Sequence, residues 1–424
     1  MSLKLKKYLG EASWITLGQM FIALGGLAGI RLLTNVLPPE SYGELGLGMA
    51  IASFINQIIY WPISNGATRF YSVAESRSEV INFIFSINGM LKYAAFTVSV
   101  VFAIGFSFHS FIFEGQRMQY FVALLFYTIL SGCGAVYAGV LNASRKRAAI
   151  AISQSIEIWA RFIFAFLLIS ACGGVSEWAL TGFAIVSSIV VFWQYRSVSA
   201  SSEKIYKDES GSDKWKMDIY NYIRPFFIIG IFVGVGAVSD RFVLTAFTSK
   251  TEVGLYVVLY QLGFYPVTII TGVLVAFIEP IIYQKIGAGD NIETIAKSGK
   301  VINIIALFML GFSLFAALLA SILSELIFLI FTEKSYYQVS DYLPIVVLSG
   351  GLFAAGNALA LKIQAYQLSS RLMAPKIGMA IFGVFANSIG AYGYGLKGVV
   401  CAGLATSSFY LLIVYLNSRG LGNE

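Results

Sequence analysis

Charge is what this sequence has least of. Asp, Glu, Lys and Arg together make up 12% of its 424 residues, histidine occurs once and cysteine three times. With 58% of positions apolar and a mean hydropathy of +0.77, no class of soluble globular protein fits. A membrane span needs roughly 20 apolar residues, so about twelve spans take roughly 240 positions, nearly the whole apolar fraction. Too little chain remains for a soluble catalytic domain.

Other absences narrow the choice further. Cys133, Cys172 and Cys401 lie in or beside apolar runs without paired spacing, so they read as small core hydrophobes and not as a disulfide framework or zinc site. His109 falls in an outer loop with no metal-ligating neighbours in sequence. No Gly-x-x-x-x-Gly-Lys-Ser/Thr phosphate loop occurs, so the chain carries no ATPase of its own. The longest outer connection, residues 325–342, is too short for a catalytic domain and holds no carboxylate cluster of the kind a membrane glycosyltransferase needs. These gaps point away from an enzyme, a metal or a cofactor.

What is present is an all-α polytopic pattern. Apolar runs between polar breaks predict spans near 12–36, 44–66, 80–108, 119–142, 148–171 and 177–195, then 220–247, 254–282, 300–324, 343–366, 375–392 and 397–417. The basic start and first apolar run resemble a signal peptide but are too long for one, and read as a retained span. With the N-terminus inside, 20 of the 29 basic residues fall on inner segments, four on outer ones and five within spans. That asymmetry places both termini and the linker 196–218 in the cytoplasm. The net charge of +7 therefore reports topology and attraction to acidic membrane lipids, not a nucleic-acid partner.

The chain also repeats itself. GIRLLTNVLPPESYGELGLG in the first half parallels SDRFVLTAFTSKTEVGLYVV in the second: an arginine late in a span, a polar turn with Glu40 or Glu252, then Gly43 or Gly254, which are 211 positions apart. GVSEWALTGFAIVSS and GLKGVVCAGLATSSF match near the ends of the halves, with Gly182 and Gly403 separated by 221. Six spans per half keep the repeats parallel, which predicts two six-helix bundles, 1–195 and 219–424, related by a pseudo-two-fold axis along the membrane normal and joined by the linker 196–218. The glycines Gly25, Gly26 and Gly29, and Gly230, Gly234 and Gly236 in the other half, permit close helix approach or bending.

An ionisable side chain at mid-span costs about 2.5 to 3.5 kcal/mol on the insertion scale, so each is a candidate for function. Arg31 and Arg241 hold equivalent places in the repeats, as anion contacts in a shared cavity or as snorkelling residues near the outer face. Asp240 is a cavity carboxylate or a counter-charge to Arg241; neighbours on a helix point about 100° apart, so their pairing is not guaranteed. Glu157 and Arg161 have i, i+4 ion-pair spacing. Lys92 lies deep in its span, and Lys362 sits near the inner end of its own, within snorkelling range. Glu279, before Pro280, reads as a gate or surface carboxylate. Five in-span bases against Glu157, Asp240 and Glu279 favour an anionic cargo.

The stretches RLLTNVLPPESYGELGLG, NGATRFYS, SDRFVLTAFTSKTEVGLYVVLYQLG, FIEPIIYQK and GYGLKGVVCAGLATSSFYLL, spread over essentially the whole chain, resemble the Wzx-type polysaccharide-unit flippases of the multidrug/oligosaccharidyl-lipid/polysaccharide exporter superfamily. The resemblance implies a V-shaped exporter-like fold and passage of an undecaprenyl-pyrophosphate-linked O-antigen or similar repeat unit from the inner to the outer leaflet of the bacterial inner membrane. It places Arg31 and Arg241 at the family-like arginine positions, with Lys92, Arg69 and Lys362 as further anion contacts, Asp240 or Glu157 as carriers of a coupling proton or sodium ion, and polysaccharide polymerase machinery as a partner. Related lipid II flippases have an acidic residue after the first-span arginine; here Leu32 follows Arg31. A drug/cation antiporter of the same superfamily and a non-transporting scaffold for glycan assembly are the other readings. A major-facilitator transporter is disfavoured because GATRFYSVAESRSEV lacks that family's Asp-Arg-x-Gly-Arg-Arg turn.

Overall fold

The computed structural model describes residues 3–107, 118–199, 209–286, 292–365 and 369–419, and among these there is no strand. The helices are α1 (Leu3–Thr34), α2 (Pro39–Ile55), α3 (Trp61–Ser76), α4 (Val80–Ser107), α5 (Met118–Ala143), α6 (Arg147–Cys172) and α7 (Ser176–Ser199). They continue with α8 (Glu209–Phe247), α9 (Lys250–Ile286), α10 (Ile292–Phe331), α11 (Leu343–Ala365) and α12 (Met373–Arg419). Eleven helical segments among the described residues are long and apolar enough to cross a bilayer. The protein is a multi-pass membrane protein.

These helices are apolar nearly all round because one face meets protein and the other meets lipid. On α10, Ile302, Ala306, Met309 and Ser313 recur at helical spacing and are buried, whereas Ile304, Leu307, Phe308, Leu314 and Phe315 are exposed. Both faces are hydrophobic, but only one is packed.

The predicted spans map onto the helices with two informative differences. First, the second span does not end near 66. A π-helical turn, Asn56–Tyr60, joins α2 to α3, in which the Trp61 N–H bonds the Asn56 carbonyl and Pro62 follows within the first turn. Proline has no N–H for the i−4 carbonyl, and the wider turn carries the helix through that gap as far as Ser76. Second, the last 47-residue helix is a hairpin. Gly395 has φ 56° and ψ −136°, Gly390 and Gly398 touch, Phe382 stacks on Phe409 at 4.3 Å, and Gly383 faces Thr406. The predicted eleventh and twelfth spans are its two antiparallel arms, 373–394 and 396–419. A Cβ at residue 395 would be strained by its φ and would crowd the Glu252 carboxylate, which accepts the Leu396 N–H at 3.0 Å.

Packing divides the chain into two compact units, Met1–Leu37 with Leu47–Gly234 and Pro38–Gly46 with Val235–Glu424. The linker expected over 196–218 is helical at its ends, since α7 runs to Ser199 and α8 starts at Glu209; residues 200–208 lie outside the described ones, as does His109. In unit 1 the first part of α8 is core: Trp215, Ile219 and Ile223 are buried with Tyr60, Phe83, Ile87 and Val136. The Trp215 Nε1–H donates to Glu79 Oε2 at 2.9 Å, which satisfies the indole in that apolar setting. Also in unit 1, Gly18, Gly25 and Gly29 let α1 lie against Ala151, Trp159 and Phe162 of α6, while Gly26 faces open space. Gly230 and Gly234 of α8 lie against Gln57 and Phe54.

Unit 2 carries a physical counterpart of the sequence repeat. A Cβ on Gly43 would meet the Lys250 carbonyl, and one on Gly254 would meet the Pro39 carbonyl. Each glycine thus touches the residue four positions before the other, the reciprocity that a local two-fold relation produces. Tyr42 adds a hydrogen bond to Gln261 Oε1 (2.8 Å) and an edge contact with Tyr336, and Lys250 pairs with Glu44 at 2.9 Å.

Candidate functional site

The charged centre of unit 2 is built where α8 turns into α9. Thr248 ends α8 by returning its hydroxyl to the Leu244 carbonyl, and Ser249 caps α9 by accepting the Glu252 N–H. The turn brings Asp240 and Arg241 of α8 against a tyrosine face of α9. Tyr256, Tyr260 and Phe264 recur at i, i+4 spacing, so they share that face.

Asp240 and Arg241 do pair, although they are sequence neighbours. Arg241 Nη1 donates to Asp240 Oδ1 and to the Ala237 carbonyl, each at 3.2 Å, and the Arg241 backbone N–H donates to the same Oδ1 at 2.8 Å. The Tyr256 hydroxyl donates to Oδ2 at 2.7 Å. Taking two charges out of water costs several kcal/mol per ion, about what can be recovered only if the remaining lone pairs are filled. Both carboxylate oxygens are filled here, and both residues are buried, at 9% and 7% exposure.

The arginine side chain is buried over an aromatic ring. Its guanidinium carbon lies 4.9 Å from the centroid of the Tyr260 ring, which in turn stacks on Phe264 at 4.4 Å and 15°. From Phe264 the aromatic contacts continue through Phe353 to Tyr410, whose hydroxyl bonds Asn357. Arg241 Nη1 makes both of the side chain's hydrogen bonds; the Nε and Nη2 edge has no partner among the described residues.

In unit 1 the predicted residues are dispersed. Arg31, near the end of α1, is half-buried; its carbonyl accepts the Thr34 hydroxyl. Glu157 accepts the Ser187 hydroxyl at 3.2 Å, and Arg161 does not form the expected ion pair with it. The Arg161 guanidinium lies instead over the rings of Phe162 and Phe183, at 5.0 and 5.3 Å, with Nε buried and unbonded. The rings outcompete the carboxylate because Phe162, wedged against Gly29, sits beside Arg161 on α6 and Phe183 faces it from α7. Lys92 is exposed on α4 next to Tyr93, which is 71% exposed. Arg69 is exposed on α3, inside a helix and not in the loop that the predicted span end implies. In unit 2, Lys362 is buried, its alkyl stem lying along Gly299 of α10. The side chain of Glu279 lies outside the described residues.

Of the predicted residues, the structure brings Asp240 and Arg241 together. Sequence reasoning missed Tyr256, Tyr260 and Tyr265 around them. The signal was available as two tyrosines at i, i+4 opening the span that follows the arginine.

The comparisons with known proteins agree with this architecture. No curated protein matches the sequence. Among solved structures, the lipid II flippase MurJ in an inward closed conformation superposes with a TM-score of 0.73 at 12% identity, over 97% of this chain and 87% of that one. A MATE transporter in the straight conformation gives 0.64 at 14% identity, covering 98% and 95% of the two chains. The Vibrio cholerae MATE transporter VcmN in the bent form gives 0.59 at 14% identity, covering 98% and 97%. At such identities the likeness is one of fold. Residues 9–284, well over half the chain, match the family described as "Polysaccharide biosynthesis protein", and the chain belongs to that family.

Proposed function

We propose that this protein flips a lipid-linked, anionic oligosaccharide, an undecaprenyl-pyrophosphate-linked repeat unit of the O-antigen type, across the bacterial inner membrane by alternating access, with both termini in the cytoplasm. The observation that carries the reading is a hydrogen-bonded arginine centre kept inside otherwise apolar helices, in a chain of the polysaccharide biosynthesis family. A pyrophosphate bearing sugars cannot cross hydrocarbon unaided, and guanidinium groups replace its hydration with charge-assisted hydrogen bonds. Arg31 and Arg241 make these contacts, aided by Arg69, Lys92 and Lys362, while the polyprenyl tail stays in lipid. An ion gradient drives the cycle. Asp240 has both oxygens engaged by donors, whereas Glu157 is held through one, so Glu157 is the better proton carrier.

A drug/cation antiporter is the second reading, favoured by the likeness to MATE transporters. Proteoliposomes loaded with labelled carrier-linked glycan separate the two. The flippase reading predicts label on the far leaflet, loss of that signal in Arg31→Glu and Arg241→Glu proteins that still insert normally, and dependence on one of the proton and sodium gradients when each is collapsed separately. Export of organic cations without glycan movement would instead establish the antiporter.

A further inference from the structure

We infer that the Arg241 centre of unit 2 is a sugar subsite, in which Tyr265 offers a ring face to a pyranose and the unpartnered Nε and Nη2 edge of Arg241 donates to its hydroxyl or carbonyl oxygens. The inference rests on the flippase reading above and refines it: the pyrophosphate falls to Arg31 and the other bases, and Arg241, whose charge Asp240 neutralises, passes from the pyrophosphate to the sugar.

Three observations carry it. The Asp240–Arg241 pair is electrically neutral as a unit, with the carboxylate bonded directly to Nη1 at 3.2 Å. A phosphate approaching it would gain from the guanidinium and lose to the adjacent carboxylate, whereas an uncharged hydroxyl or amide oxygen needs only a directed N–H. The donors it needs are present: Nε and Nη2 of Arg241 have no hydrogen-bond partner among the described residues. The guanidinium is also held in place from both sides, by Asp240 and by the Tyr260 ring 4.9 Å away, so little side-chain freedom is lost when a ligand binds.

The third observation is Tyr265. Its ring is perpendicular to Tyr260 (5.2 Å, 87°) and to Phe264 (6.4 Å, 86°), and the residue is 46% exposed. It belongs with Tyr256 and Tyr260 to the tyrosines in electrostatic reach of Arg241. A flat ring braced by two perpendicular neighbours, beside a set of fixed N–H donors, is what the apolar face and polar rim of a pyranose require together. Most exposed side chains of α10, by contrast, are Leu, Ile and Phe, as lipid contact demands.

The test is a binding comparison on the full-length protein in nanodiscs, using two probes: a polyprenyl pyrophosphate carrying one N-acetylhexosamine and the same polyprenyl pyrophosphate without sugar. The native protein should bind the sugar-bearing carrier about tenfold more tightly. Tyr265→Ala should bring that preference to near unity while leaving affinity for the bare carrier unchanged, and Tyr265→Phe, which keeps the ring, should retain most of the preference. Arg241→Lys, which keeps the charge but not the planar fork, should reduce it as well. Equal weakening of both carriers by Tyr265→Ala, or an unchanged preference, overturns the sugar subsite while leaving the flippase reading standing. If the native protein binds neither carrier, the flippase reading falls and the subsite falls with it.

Discussion

Arg31 and Arg241 occupy matching places in the two sequence repeats, yet they are embedded differently. Arg241 follows a carboxylate, bonds to it, and lies over an aromatic ring with 7% exposure. Arg31 stands between Ile30 and Leu32 and is half-buried, near a helix face whose glycines are used to seat α6. A repeat therefore preserves where an arginine sits along the helix without preserving its sequence neighbours or its burial. At 241 the preceding carboxylate makes the position a neutral, directional donor.

The sharpest way to break this comparison is to remove the carboxylate. Asp240→Asn leaves the shape and takes away the counter-charge of a buried guanidinium, and should cost about 3 to 5 kcal/mol of unfolding free energy in detergent. The double variant Asp240→Asn/Arg241→Gln should recover much of that loss, because no uncompensated charge remains. Arg31→Gln should cost far less. If Arg31→Gln and Asp240→Asn destabilise equally, the difference in burial carries no energy and the contrast fails.

The reciprocal glycines test the opposite claim, that part of the repeat is physically equivalent. Gly43→Ala and Gly254→Ala each drive a methyl group into a backbone carbonyl of the other helix, a contact the backbone has to relieve by moving. Overpacking of this kind costs about 1 to 3 kcal/mol, and the two variants should match each other within experimental error. Unequal effects would mean that the symmetry seen in the contacts is not energetic. Between these cases lies Tyr256→Phe, which deletes one hydrogen bond to a charged acceptor while leaving the ring in place. A loss of about 1.5 to 3 kcal/mol is expected from thermal unfolding, and none if Asp240 Oδ2 is rehydrated without penalty.

The helices were readable in the sequence because twelve apolar runs with polar breaks leave few alternatives, and the glycine and arginine spacing of the repeat reached as far as the Gly43–Gly254 contact. Two boundaries were not. The run ending near residue 66 continues to Ser76 because the π turn carries the helix past Pro62, and hydropathy does not register hydrogen-bond geometry. The polar stretch before residue 219 hides a helical start whose Trp215 is buried, since a single aromatic among Lys, Asp and Ser barely changes a window average. At the site, the candidate charges were visible one by one. Their partners were not, because pairing depends on which rings and carboxylates α9 and α6 place nearby: Arg241 found Asp240, while Arg161 found two phenylalanines in place of Glu157.

The smallest effect should come from the Lys250–Glu44 ion pair. Residues 38–46 belong in sequence to the half that carries Arg31 but pack in the unit that carries Arg241, so this pair ties the two halves of the comparison together. Its side chains are 33% and 20% exposed, and ion pairs that reach solvent contribute about 0 to 1 kcal/mol. Glu44→Gln should thus lower stability by less than about 1 kcal/mol, and the difference should shrink further at high ionic strength. The glycine contact beneath it is steric and insensitive to salt. If raising the salt concentration destabilises the native protein by more than this single pair can account for, the segment is held by charge and not by the close approach of Gly43 and Gly254.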